Sequence, residues 1–429
     1  MNRLPHYFTA SNEAIDHQFN GVLKAALVQR IGVLIGKKES NVIQEALPTL
    51  SDVIKTHTGV SLKLELVEGM GMFVELPSLS ANNPIVNAWR RGPWMTKQGE
   101  ALVKEANKPI EGSIDLNKGK VDGVFSETTQ TLYIGKEYFY HPLVTFTPEE
   151  IAAVILHEVG HVFTYFEMLS RTATTNYILR GTLEQLMEAK DRKSKITILK
   201  DTEKTSGIPL GDLDDIADIA DIKAVSVMLF KQIDDAQRSE LGFSAYDTTG
   251  AESLADQFAA RHGLALPLAT GLDKVTRMYG DAAHRSTLTF AAIKVAIWSS
   301  LFTAAVFTPI AAGIVVGVIT IKLLSGILGV AEYDELPDRY KRLRHQLVDG
   351  LKRKEITGEQ EKQLISEINQ LDKMVESVNE HVSLSLLVLN HLIPSKRKAA
   401  KSKVFQQDLE SMLANDLFVK SAELKHATA

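Results

Sequence analysis

The segment that most restricts the fold is residues 147–169, where Thr147-Pro148-Glu149-Glu150 is followed by IAAVILHEVGHVFTYFEML. Thr147 suits an N-cap, Pro148 the first helical position, and Glu150 closes a capping box, so a helix begins here. The helix is apolar around most of its circumference, which predicts burial, yet it carries His157, Glu158 and His161. Residues four apart share a helix face, so both imidazoles reach one cation. Glu158 points about 100° away, where it can hold a metal-bound water rather than ligate. Chance supplies only about 0.02 His-Glu-x-x-His matches in this composition. In an ordinary buried helix these histidines would bond elsewhere, but two imidazoles and a carboxylate among apolar neighbours all need partners. A metal satisfies the three together.

Composition narrows the choice of metal chemistry. The chain has no cysteine, which excludes disulfides, thiol catalysis, iron–sulfur clusters and cysteine-bound zinc. A transition metal must therefore rest on His, Asp or Glu. The 429 residues, 45% hydrophobic and 24% charged, suit an ordinary globular chain of two or three units. A net charge of −5 argues against a general nucleic-acid binder. No apolar run follows the first arginine, so no secretory signal is expected, and the compartment is left open.

Two histidines leave a catalytic zinc one protein ligand short. A third histidine six residues on is absent, because position 167 is Glu167, which would point away on a continuous helix. The best candidate is Glu252, in Gly250-Ala-Glu252-Ser-Leu-Ala-Asp256, with apolar Ala255, Phe258 and Ala259 around it. Glu-x-x-x-Asp alone is weak, with about 1.6 chance matches expected. A buried Glu one turn before a buried Asp is costly unless both are used. Asp256 would then accept the free ring N–H of a ligand histidine.

HEVGH followed by a helix reading AESLADQFAARHG resembles the glutamate-zincin (gluzincin) metallopeptidases, most closely the membrane-linked heat-shock and CAAX-prenyl protease group. The resemblance covers residues 120–265. It implies a Zn2+ centre with His157, His161 and Glu252 as ligands, Glu158 as general base and Asp256 supporting a ligand histidine. The uncharged segment also resembles the hydrophobic hairpin of that group, although here it follows the third ligand. Tyr333-Asp-Glu-Leu-Pro337-Asp-Arg339 resembles a Pro-and-Arg stretch after the metal motifs there, and no role is carried over from it. Tyr246, Arg261 and His262 lie near the proposed third ligand and are candidates for oxyanion stabilisation.

The remaining chain predicts an α+β fold with a zincin-like core, a small mixed sheet beside the HEVGH helix. Apolar periodicity predicts helices over 12–36 and 40–55, the second bent at Pro48, and alternation predicts strands over 61–68 and 72–76. Lys120–Ser126 and Thr131–Gly135 flank a polar turn and predict a hairpin, whose second strand is a candidate for pairing with an extended substrate. Five aspartates between 212 and 221 lack the glycine and terminal Glu of a calcium loop and suit a solvated helix start. Residues 295–321 carry no charge, more than the roughly 20 residues that span a bilayer. The expected element is an apolar helical hairpin over 288–331 turning near Pro309, in a membrane or at a subunit interface. After it, heptad spacing over 361–382 predicts a helical hairpin, and 394–403 is locally basic.

The expected units are an N-terminal α/β region (1–110), a metallopeptidase core (111–287), the hairpin (288–331) and a helical region (332–429). The expected function is zinc-dependent hydrolysis of a peptide or protein substrate, with a membrane or assembly partner through 288–330 and no nucleic acid. The competing classes are a structural or assembly component, such as part of a virion, built on a zincin core, and a membrane-inserting protein whose apolar hairpin is the active part.

Overall fold

A computed structural model describes residues 21–75, 112–241, 248–279, 336–352 and 356–379. The chain is α+β. Helices α1 (Val22–Gly32) and α2 (Ser40–Thr58) lead into strands β1 (Ser61–Val67) and β2 (Met72–Glu75). Pro48 is accommodated inside α2. Then come β3 (Gly112–Asp115), β4 (Lys120–Gly123), a single helical turn at Val124–Glu127, and β5 (Thr129–Gly135).

The expected hairpin between Lys120–Ser126 and Thr131–Gly135 does not form. β4 pairs antiparallel with β3, and the helical turn takes up Val124 and Phe125, which are buried. β5 instead lies at the centre of a three-stranded sheet, parallel to β1 with Leu64 opposite Leu132 and antiparallel to β2 with Val74 opposite Leu132. Burial decides the pairing. Leu62, Leu64, Met72, Val74, Leu132 and Ile134 form one covered face, which a local β4–β5 ribbon would leave open. Both edges of β5 are occupied, so Thr131–Gly135 offers none to a substrate. Among the described residues β1 and β2 are the edge strands of this sheet.

That covered face packs on α3 (Pro148–Glu188), which begins with the expected capping box at Thr147 and Glu150. At about 1.5 Å per residue it is roughly 60 Å long. From Ile151 to Phe166 every side chain is buried, which explains the apolar circumference. Helices α4 (Arg192–Ser206), α5 (Leu213–Asp218) and α6 (Ile222–Leu241) follow, and Asp212 caps α5, so the aspartate run does begin a helix.

Helix α7 (Thr248–Ala259) lies along α3 and passes through a wider turn, Ala260–Leu264, into α8 (Ala265–Tyr279). Gly263 makes the kink, with φ of 72°. Helices α9 (Leu336–Leu351) and α10 (Gly358–Asn379) form an antiparallel pair, tied by Arg344 to Asp372 and by Gly350 against Leu364. The expected apolar hairpin over 288–331, Tyr246 and the basic 394–403 stretch lie outside the described residues. Among the described residues no helix is long and apolar enough to cross a membrane.

Candidate metal centre

His157 and His161 lie one turn apart on α3 with their Nε2 atoms 3.0 Å apart and their rings nearly perpendicular. Glu252, on α7, places Oε2 3.6 Å from His157 Nε2 and Oε1 3.5 Å from His161 Nε2. Tetrahedral bonds of 2.0–2.1 Å set ligand atoms about 3.3 Å apart, so the three separations bracket what one such ion requires. Glu252 Oε2 is buried and makes no hydrogen bond, an open acceptor facing the cluster.

Helix α7 comes this close because of Gly160. A Cβ there would stand 2.7 Å from Ala255 Cα and 3.1 Å from Phe258 Cβ. The bare backbone lets the two helices approach, and Phe163 stacks on Phe258 one turn further along. The glycine between the histidines therefore sets the position of a carboxylate more than ninety residues away.

His157 is fixed from behind. Its Nδ1 is 3.0 Å from Asp256 Oδ1, one turn after Glu252. That contact places the ring proton on Nδ1 and leaves the Nε2 lone pair toward the cluster. Asp256 also accepts from Arg339 on α9, at 3.1 Å from Nε to Oδ2 and 2.5 Å from Nη2 to Oδ1. Burial alone would raise the Asp256 carboxyl, but the Arg339 guanidinium and His157 outweigh it and hold it far below the usual range. Burial would likewise raise Glu252, and His161, Arg339 and His157 bring it down instead. His161 is pushed down to about 4 by burial, so its imidazole is neutral at pH 7.

Glu158 stands apart from these three. Its carboxylate oxygen lies within 4.8 Å of the histidine nitrogens, and Oε2 accepts from the backbone N–H of Val74 on β2 at 3.0 Å. Burial, reinforced by the Glu252 charge, pushes it up to about 7.

The structure thus brings His157, Glu158, His161, Glu252 and Asp256 together. It does not bring Arg261 and His262. Nine residues after Glu252, Arg261 is half a turn out of phase with it and faces His345. His262 packs edge-on against Phe258 and faces the charges of His57 and Lys24. Arg339 stands in the Tyr333–Arg339 stretch that the sequence singled out without giving it a role, and no spacing rule joins it to Asp256, 83 residues away. A further signal is chemical, because a buried aspartate calls for a cation. No family model matches the chain, and neither a curated protein nor a solved structure matches it.

Proposed function

We propose that the protein is a zinc-dependent metallopeptidase with a zincin-like core. The observation that carries this reading is the Glu252 carboxylate, lying within 3.6 Å of both histidine Nε2 atoms, while a second carboxylate, Glu158, has an oxygen within 4.8 Å of the histidine nitrogens. Two imidazoles and one carboxylate are the donor set of catalytic zinc hydrolases, and three protein ligands leave a position open. Zinc held by His157, His161 and Glu252 would supply a water with its pKa lowered to near 7 and would polarise a carbonyl.

The rest is the work of the chain. His157 and His161 enter as neutral ligands, one oriented by Asp256. Glu158 takes a proton from the attacking water and delivers it to the leaving amine. A carboxyl near 7 exchanges protons efficiently at neutral pH. The Val74 N–H aims it, and because β2 is an edge strand an extended substrate would pair along β2 rather than β5. A metal clamp in a purely structural protein has no use for a second carboxylate held by the Val74 N–H beside the three ligands.

Glu158→Gln preserves shape and removes the base. The variant should keep one zinc by elemental analysis and lose at least 10²–10⁴-fold of its peptide hydrolysis. His157→Ala should lose both zinc and activity. Hydrolysis undiminished in Glu158→Gln would sink the catalytic reading and leave a structural metal site.

A further inference from the structure

Three of the large apolar side chains exposed among the described residues gather at one end of the molecule: Val33 (68% exposed), Tyr140 (39%) and Leu143 (84%). Their segments are held together. Gly36 donates to the Phe139 carbonyl at 2.8 Å, the Lys38 ammonium lies 4.6 Å above the Tyr140 ring, and Gly32 approaches Pro148. Arg30, Lys37 and Lys38 are exposed beside them, with the Glu39 carboxylate next to Lys38, so the cations outnumber it. Apolar tips among basic side chains are the chemistry of an anionic bilayer surface.

The course of the chain points the same way. Gly271 of α8 packs against Glu150 and Val154, and Lys274, one turn on, binds Glu150 and the Thr145 carbonyl. Helix α8 therefore ends, at Tyr279, toward the loop that bears Leu143. Near the start of α9, Tyr340 reaches Asp273 in the middle of α8. The sequence between those two helix ends contains residues 295–321, which have no charge. The chain thus leaves α8 toward the apolar, basic face just ahead of its uncharged stretch.

We propose that this face, Val33, Tyr140 and Leu143 ringed by Arg30, Lys37 and Lys38, docks on an anionic membrane surface. The inference needs no metal and goes beyond the hydrolytic reading. It sets the site near the lipid surface, since His157 lies nine residues into α3, about 13 Å along the axis from Pro148.

Because the chain lacks cysteine, a single thiol can be placed at will. Leu143→Cys and, as a control away from this face, Met187→Cys in the full chain would each carry one environment-sensitive fluorophore. Vesicles of phosphatidylcholine with 30% phosphatidylglycerol should blue-shift the probe at 143 and leave the probe at 187 unchanged. In co-flotation, Lys37→Glu with Lys38→Glu should weaken binding by about 30-fold or more, and added salt should do the same. These residues are exposed, so thermal melting and zinc content should not change.

Three outcomes would overturn the proposal. The chain does not bind vesicles at all; it floats while the probe at 143 stays in water, so that other residues attach it; or Leu143→Asp splits a dimer that ignores vesicles, making a second copy the occupant. None of them depends on hydrolysis, so the proposed activity stands or falls separately.

Discussion

Gly160 carries the sharpest test at the scale of single residues. On an isolated helix Gly160→Ala should be favourable by about 1 kcal/mol, because glycine has the greater backbone entropy to lose. Here the added methyl meets the backbone of Ala255, which cannot rotate away. Helix α7 must retreat, and Glu252 with it. The expected result is a protein that folds with unchanged helix content and binds zinc at least tenfold more weakly. Unchanged zinc affinity would mean that the helix contact does not set the ligand. Arg339 acts from the other side. Arg339→Met removes the partner that holds Asp256, and with it the firm orientation of His157. Zinc affinity should fall by roughly 10- to 100-fold, as for other groups that orient ligands. Arg339→Lys should restore only part, since an ammonium cannot match the paired contacts of the guanidinium. Titration against a competing chelator separates the three proteins.

The elements differ in how far their own residues dictate them. Helix α3 was legible because its signals are local: Thr147, Pro148 and Glu150 at one end and an apolar run behind them. The pairing of β5 was not. Its partners β1 and β2 lie more than fifty residues upstream, and a period-two pattern names a strand without naming its neighbour. The same limit applied to Arg339, whereas Glu252 and Asp256 were found because they sit one turn apart on one helix. The start of α3 also shows what the local signal omits. The Glu150 carboxylate that closes the cap at Thr147 N–H also receives the Lys274 ammonium at 2.7 Å. One buried oxygen therefore both starts α3 and attaches α8. Glu150→Ala should cost about 2–3 kcal/mol in urea unfolding, more than the loss of a cap alone. Glu150→Gln, which can still accept from Thr147, should cost less. Equal losses in the two variants would assign the whole effect to the Lys274 pair.

At the scale of the whole molecule, the helices around α3 bury charge-capable groups that oppose acid. His262 is held between α7 and the N-terminal helices, and burial, with the nearby His57 and Lys24 charges, pushes it down to about 3. An unfolded histidine titrates near 6.5. The folded state therefore binds this proton more weakly than the unfolded one, and the sign follows. The contribution is fully present above about pH 6.5 and is lost as pH falls toward 3, to the extent of about 4 kcal/mol. Glu158, raised to about 7, works in the opposite direction, because its protonation on acidification relieves a buried charge. That opposing term is common to the wild type and a His262 variant, so it cancels in their comparison. His262→Gln, neutral at every pH, should lose some stability at pH 7 through the weakened contact with Phe258. Its stability should then fall less steeply than that of the wild type between pH 6 and 3.5, by up to one proton in the slope. Urea midpoints across that range, with chelator present so that metal release does not enter, measure the difference. Parallel curves would show that His262 is not the proton acceptor that acid unfolding exposes.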